Sequence, residues 1–465
     1  MTISQQYDAI IIGSGQAGTP LSTTLAQAGM RTALIEREHV GGTCINEGCT
    51  PTKTMVASGR VAYLARRAAD YGVDTGPISI DMPKVRERKR KMVDSFRNGS
   101  QSRIEKATNL ELIFGEARFT APKSVEVRTK DGSQRVISAK NIFINAGTRA
   151  SHPRLNGLES IPFLDNASIM ELDSLPNHLL ILGGGYIALE FGQLFRRFGS
   201  RVTIIQSAGQ LLTQEDLDIA EEVAKILRQD GVEIMLQAKA TRVSRSNGSI
   251  RLEVQCHGNS NTLVGSHLLA ATGRVPNSDT LNLGAAGIQT NDRGFIQVND
   301  RLETTAAGVY ALGDIKGGPA FTHISYDDFR IIRANLLEKK TASIANRVVP
   351  YTLFIDPQLG RVGLTETEAR AQNRNIRVAK LPMTSVARAL EVAETRGFMK
   401  AVVDAETNQI LGAAILGLEG GEVMAVLEVA MMGKLPYTAL RDGVFAHPTL
   451  AESLNNLFMA MDSNE

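Results

Sequence analysis

Residues 9–18 read Ala9-Ile10-Ile11-Ile12-Gly13-Ser14-Gly15-Gln16-Ala17-Gly18, and this stretch decides the fold. Four apolar residues in a row, without polar alternation, mark a strand buried on both faces, as in a parallel sheet. The glycines then follow a GxGxxG spacing, and the sequence predicts a helix from there to about Met30. In such a loop the first glycine makes the tight turn and the second lets backbone approach a pyrophosphate. The third lets helix and strand pack closely, and the helix N-terminus faces the anion. GxGxxG alone is weak evidence, and a glycine turn without a ligand is the competing reading. Here Glu36 closes the next strand, Thr32 to Glu36, where an acid can accept hydrogen bonds from a ribose diol and disfavours a 2′-phosphate.

Far downstream the module recurs. Leu179-Leu180-Ile181-Leu182 leads into Gly183-Gly184-Gly185-Tyr186-Ile187-Ala188, a GxGxxA loop, then a helix to about Phe198 and a strand from Arg201 to Ile205. Two such modules imply two dinucleotides. The second strand ends at Gln206 and Ser207, where an acid would select NAD. Gln206 does not repel a 2′-phosphate, and no arginine stands at Ser207 or Thr213 to attract one. The choice between NADH and NADPH stays open. From about Asn346 the pattern changes to alternating strands and an apolar helix around Val423 to Met432. The fold expected is therefore α/β: two Rossmann-type dinucleotide-binding domains plus an α+β C-terminal domain.

At roughly 150 residues per domain, the 465-residue chain has room for about three. Its 51 basic and 49 acidic residues leave a net charge of +2, too balanced for nucleic acid or an acidic membrane surface. The charge run Lys84-Val85-Arg86-Glu87-Arg88-Lys89-Arg90-Lys91 reads as a solvated helix face, since no aromatic residues interleave it. Three cysteines in the whole chain fit a reducing compartment. The opening Met1-Thr2-Ile3-Ser4-Gln5-Gln6-Tyr7 lacks the basic and apolar regions of a signal peptide. No apolar run reaches about 18 residues, so the expectation is a cytoplasmic protein with no membrane span.

Soon after the first loop comes Gly41-Gly42-Thr43-Cys44-Ile45-Asn46-Glu47-Gly48-Cys49-Thr50-Pro51-Thr52-Lys53. A structural disulfide across so short a loop would stabilise the fold by only about 2 kcal/mol, and a chain this long has no need of one. A structural zinc site would need a second pair of ligands, whereas the only other cysteine is Cys256. The pair reads as a redox-active dithiol, and no metal site is expected. Cys256 reads as a buried strand residue.

Together these motifs resemble the pyridine nucleotide–disulfide oxidoreductases, the group of dihydrolipoamide dehydrogenase, glutathione reductase and mercuric reductase. The likeness extends through Ala271-Thr272-Gly273-Arg274-Val275-Pro276-Asn277, Gly308-Val309-Tyr310-Ala311-Leu312-Gly313-Asp314 and His447-Pro448-Thr449-Leu450-Ala451-Glu452. It implies an FAD-binding domain in two parts, 1–150 and 277–345, an NAD(P)-binding domain at 151–276 and a dimerisation domain at 346–465. It also implies that FAD is held by Gly13, Gly15, Gly18, Glu36, Gly42, Thr43, Gly147, Gly273, Arg274, Gly313 and Asp314. The nicotinamide nucleotide, NADH or NADPH, would lie at Gly183, Gly185 and Tyr186, with Tyr186 covering the flavin until nicotinamide enters. Electrons would pass from nicotinamide through FAD to a Cys44–Cys49 disulfide. Cys49 would be the charge-transfer thiol and Cys44 the interchange thiol, with Lys53 and Glu190 forming an ion pair beside the flavin. A helix start and a nearby cation would lower a thiol pKa there.

Pro448 favours a helix start, which would put Glu452 about one turn in, within reach of the His447 ring. A carboxylate on one ring nitrogen fixes the tautomer and leaves the other as acid or base. In the family this pair serves the disulfide of the other subunit, so the resemblance implies a homodimer with shared active sites. Mercuric reductases typically lack this histidine and end in a cysteine pair, whereas this chain ends Met459-Ala460-Met461-Asp462-Ser463-Asn464-Glu465. Phe143-Ile144-Asn145-Ala146-Gly147, Phe321-Thr322-His323-Ile324-Ser325-Tyr326-Asp327-Asp328 and Ser453-Leu454-Asn455-Asn456-Leu457-Phe458 resemble flavoenzymes that reduce hypothiocyanous acid. The expected substrate is a small-molecule disulfide or thiol-reactive oxidant. The alternatives are a dihydrolipoamide dehydrogenase, a metal reductase and a flavin-bound redox or metal sensor.

Overall fold

A computed structural model describes residues 5–462. The first four and last three residues, which entered the readings of the N-terminus and of the tail, lie outside the described residues. The chain divides into two compact units, one built from the segments up to Thr54, Lys84–Ser151 and Gly273–Arg347. The other comprises Met55–Pro83, His152–Thr272 and the chain from Val348 onward.

In the first unit, Gln5–Ile12 lies between two parallel neighbours, Thr32–Glu36 and Gln134–Ile144. Its register runs Ile10 to Ala33 on one side and Ile10 to Ile142 on the other. Leu110–Ala121 adds beyond Thr32–Glu36, and Val309–Ala311 adds beyond Gln134–Ile144, both parallel. The strand Ser124–Thr129 bridges Leu110–Ala121 and Gln134–Ile144 by antiparallel pairing. The apolar run at 9–12 has the physical reason anticipated. Ile10 and Ile12 enter one core with Ile35, Phe119 and Val125, while Ala9 and Ile11 enter another with Leu21, Leu25 and Phe143. Each such side chain contributes roughly 1.5–3 kcal/mol by burial. The following helix is Gly18–Gln27, ending short of Met30 at the turn made by Ala28 and Gly29.

The charged run lies on the helix Met82–Glu105, and its solvated reading holds only in part. Lys91 pairs with Glu87 across one turn at 2.6 Å, as on a wet face. Lys89, however, is only 3% exposed, and Arg88 donates to the Thr54 carbonyl at 2.6 Å. Composition alone cannot tell an exposed cation from one whose aliphatic stem is packed under its neighbours.

The second unit repeats the parallel module. His267–Ala270, His178–Leu182, Arg201–Ile205 and Glu233–Met235 form its sheet in that order. The helix Tyr186–Phe198 follows the second glycine loop. From Tyr351 a five-stranded antiparallel sheet runs in the order Tyr351–Leu353, Gln358–Gly363, Ile410–Gly417, Phe398–Asp404, Ile376–Pro382. Its core includes Leu427 from the helix Gly420–Met432, with Leu454, Leu457 and Phe458 from the helix Ser453–Asp462. Among the described residues no helix is long and apolar enough to cross a membrane.

Candidate active site

The first glycine loop is closed from behind by its own sheet. Gly13 has φ +99°, and a side chain there would collide with the Asn145 carbonyl; one at Gly18 would collide with the Gly13 carbonyl. Ser14 donates to Glu36 Oε2 from its backbone N–H at 3.0 Å and its hydroxyl at 2.5 Å. The acid that ends the second strand is thus tied to the loop it was expected to serve. The N-cap position of the helix Gly18–Gln27 is Ala17, which offers no side-chain hydrogen bond, and a helix N-terminus can receive a phosphate. Gly42, just before the cysteines, packs on the loop so closely that a Cβ would lie 2.8 Å from the Gly15 Cα.

Three segments distant in sequence converge on this loop. Thr148–Ala150 pairs with Arg274–Pro276, and Asn277 N–H donates to the Gly147 carbonyl at 3.0 Å. Arg274 donates to the Thr148 hydroxyl at 2.8 Å and carbonyl at 2.7 Å, and that hydroxyl donates to Asp314 Oδ2 at 3.2 Å. The Gly273 carbonyl accepts the Ser151 N–H at 2.9 Å, and Gly313 N–H donates to the buried Asp328 carboxylate at 2.8 Å. Asn145 is the residue that sequence reasoning missed. It is buried, accepts the Gly18 N–H at 3.0 Å and donates to the Leu312 carbonyl at 2.9 Å. A polar residue ending the apolar strand Gln134–Ile144 was the available signal. A helix start behind three glycines and a carboxylate at the strand end together fit the dinucleotide portion of FAD.

Cys44 sits in the short helix Gly42–Asn46, and Cys49 opens the helix Cys49–Arg66, which carries Lys53 one turn further on. Gly48 lets the two segments close, because a side chain there would come within 2.8 Å of the Thr43 carbonyl and 3.2 Å of the Cys44 Cα. Both cysteines are thiols in this structure. The Cys44 thiol is pushed up, first by its hydrogen bond with Cys49 and second by burial, and Thr322 opposes the rise. Cys44 thus holds its proton more tightly than an ordinary thiol, and Cys49 stands at a helix start. Thr322, a second residue given no role from sequence, opens the helix Thr322–Leu337 with its hydroxyl 3.4 Å from Cys49 Sγ. A lone threonine among helix residues carries no signal of this.

In the second unit, a side chain at Gly183 would collide with the Ala271 carbonyl, whereas one at Gly185 would meet nothing within 4 Å. The helix Tyr186–Phe198 likewise has no side-chain cap. Gln206 donates its amide to the Gln210 carbonyl at 3.2 Å, and Ser207 is exposed. Glu190 is buried and accepts the Phe354 N–H at 2.9 Å; it and Lys53 belong to different units. Tyr186 is half-buried, its ring 5.5 Å from that of Tyr351 at a tilt of 46°.

His447 Nδ1 lies 2.9 Å and 3.1 Å from the two oxygens of Glu452. The pair forms as expected, by a different route. Pro448 does not start a helix: the helix begins at Ser453, and residues 450–452 form a turn before it. Thr449 holds that turn, accepting the Glu452 N–H at 3.2 Å while donating to the Ala446 carbonyl at 2.8 Å. A hydroxyl bonding to nearby backbone competes with the helix. His447 is exposed, with its side chain at 66%. Cys256, on the strand Ser249–Cys256, donates weakly to the Leu236 carbonyl at 3.6 Å.

Residues 7–328 match the family described as pyridine nucleotide-disulphide oxidoreductase, and residues 349–458 match its dimerisation domain. The chain belongs to this family. It is an oxidoreductase of the flavoprotein disulfide reductase type, in a family that uses FAD and NAD(P)H. It is 41% identical to the probable pyridine nucleotide-disulfide oxidoreductase RclA of Escherichia coli, over 97% of this chain and 99% of that one. It is 34% identical to the mercuric reductase of Lysinibacillus sphaericus, over 98% of this chain and 83% of that protein. Among solved structures it is similar to the Cu(II) complex of the HOCl-induced flavoprotein disulfide reductase RclA from Escherichia coli. The TM-score is 0.90 at 39% identity, covering 98% of this chain and 99% of the other.

Proposed function

We propose that this protein takes electrons from NADH and delivers them through Cys44 and Cys49 to a small disulfide or thiol-reactive oxidant such as hypothiocyanous acid. The observation that carries the reading is the geometry of two thiols, Cys44 and Cys49, brought together across Gly48. The Cys44 thiol, pushed up by its hydrogen bond with Cys49 and by burial, calls for a base. His447 supplies that base. With Nδ1 bound to Glu452, Nε2 is the nitrogen left to take the proton. Cys44 then attacks the electrophilic sulfur of the oxidant and displaces its leaving group, which carries off one electron pair. Cys49 attacks the Cys44 sulfur, the second fragment leaves as thiolate or thiocyanate, and the Cys44–Cys49 disulfide forms. FAD, held by the first glycine loop with Glu36, Arg274 and Asp314, would supply the two-electron chemistry that links the nicotinamide to that disulfide. Lys53 and Glu190 form the ion pair beside the flavin in this reading, and Tyr186 covers the flavin until nicotinamide arrives.

The His447–Glu452 pair acts on the disulfide of a second copy of the chain, so the enzyme is a homodimer. The match to a dimerisation domain supports this, as do the exposed apolar side chains Val429, Met432, Leu435, Val444 and Met459, an exposure that usually marks an interface. NADH is preferred because residues 206–213, Gln206-Ser207-Ala208-Gly209-Gln210-Leu211-Leu212-Thr213, contain no charge to neutralise a 2′-phosphate. In this reading 1–150 with 277–345 binds FAD, 151–276 binds the nucleotide and 346–465 dimerises.

The test is stopped-flow reduction by NADH, followed by reoxidation with hypothiocyanous acid, oxidised glutathione, lipoamide or mercuric ion. Cys44→Ser should leave flavin reduction intact and abolish reoxidation by the true acceptor. His447→Gln should slow that reoxidation about 10²- to 10⁴-fold with flavin reduction unchanged. Equal slowing of both half-reactions in His447→Gln would remove the proton-transfer role.

A further inference from the structure

Behind Tyr186 the second unit carries a buried group that the reaction above does not use. Glu215 is 6% exposed, and one of its carboxylate oxygens accepts the Tyr351 hydroxyl. The other faces the Arg361 guanidinium at 3.3 Å without a hydrogen bond of its own. Arg361 is itself buried, with Nη1 donating to the Val362 and Ala413 carbonyls at 2.7 and 3.1 Å. Glu215 thus has one oxygen committed to Tyr351, and burial, with Asp216 and Glu368 adding to it, pushes its carboxyl up to about 7 against the pull of Arg361. Its hydrogen-bonded partner is the ring on which Tyr186 rests.

We propose that Tyr351, anchored by Glu215, is the positioning residue on which Tyr186 is parked, and that it sets how readily nicotinamide is admitted. This rests on reading Tyr186 as the gate. Tyr351 comes from the strand Tyr351–Leu353 of the C-terminal sheet and Tyr186 from the first turn of the helix after the nucleotide loop. An anchored ring gives the parked position a fixed surface. Displacing Tyr186 forfeits that aromatic contact, which an incoming nicotinamide must offset before it binds. The ADP-ribose part of the nucleotide, its pyrophosphate at the loop Gly183 to Gly185 in this reading, makes no such demand.

The distinction gives a binding test without turnover. Calorimetry on the oxidised full-length holoenzyme would compare NAD⁺ with ADP-ribose, which lacks the nicotinamide ring. Tyr351→Ala should tighten NAD⁺ by about two- to tenfold, the worth of one aromatic contact, and leave ADP-ribose unchanged. Tyr351→Phe, which keeps the ring and loses the anchor, should shift NAD⁺ in the same direction by less. It also covers the case in which the alanine variant does not fold. Reoxidation of the reduced enzyme by oxygen should quicken in both. Unchanged NAD⁺ binding, or NAD⁺ and ADP-ribose shifting together, would overturn the proposal, the latter because it reports damage to the nucleotide loop. Tyr186→Ala separates the two readings. If it selectively tightens NAD⁺ while the Tyr351 variants do not, only the positioning role fails. If it changes nothing, the gate and its support fail together.

Discussion

The two glycine loops share a spacing and differ in what stands behind them. The first is braced from behind: Asn145 bonds the loop to the chain at Leu312, Ser14 is doubly bonded to Glu36, and the Gly42 backbone packs on Gly15. Around the second, Gly185 opens onto empty space, Gln206 is neutral, and the residue following the loop rests on another aromatic ring. In the function proposed above, the braced loop holds FAD and the open loop exchanges its nucleotide, so one motif would serve a resident cofactor or an exchanging substrate according to the packing around it.

The sharpest way to break this contrast is to add one methyl group to each loop. Gly18→Ala should lose FAD outright, because the new carbon collides with the Gly13 carbonyl and neither strand nor helix can yield. Its purified protein should be colourless. Gly185→Ala should purify yellow and with an ordinary unfolding temperature, and weaken nucleotide binding several-fold by filling the space a pyrophosphate needs. A Gly185→Ala protein that loses its flavin would show the two cradles to be equally intolerant, and the contrast would fall.

Much of this was legible before any coordinates. The apolar run Ala9–Ile12, the glycine spacing, Glu36, the cysteine pair and the His447–Glu452 pair are local patterns, and local patterns carry their own geometry. Asn145, Thr322 and Glu215 were not legible, because each acts through partners far along the chain: Gly18, Cys49 and Tyr351. Asn145 at least stands out as a polar residue closing an apolar strand, whereas nothing in the neighbours of Thr322 and Glu215 announces their contacts. Lys89 shows the same limit in reverse, since a charge in a charged run reads as wet until the packing above its stem is seen. The route to Glu452 was misread for a smaller reason. Proline does favour a helix start, but Thr449 offers the backbone a competing hydrogen bond and delays the helix to Ser453.

Asn145 offers the next step down in size. Asn145→Ala would strand the Gly18 N–H and the Leu312 carbonyl, each costing about 1–3 kcal/mol if left unpaired. Reconstitution of the apoprotein should show FAD binding weakened roughly 10- to 100-fold, with NAD⁺ affinity unchanged. An Asn145→Ala protein that binds FAD normally would mean that the brace is redundant and that the glycines alone make the first cradle tight.

The smallest effect belongs to the open loop, and it concerns discrimination. Gln206 stands where Glu36 stands in the first module, at the end of the second strand, yet it is uncharged and bonds to Gln210. Gln206→Glu would bring the second loop closer to the first. A carboxylate there would accept hydrogen bonds from a 2′-hydroxyl and repel a 2′-phosphate across a partly solvated gap. Repulsion of that kind is worth on the order of 1 kcal/mol, so NADPH should lose about five- to tenfold in kcat/KM while NADH holds or gains. If both nucleotides lose equally, Gln206 shapes the loop through Gln210, and the neutral strand end is then a matter of packing and not of nucleotide choice.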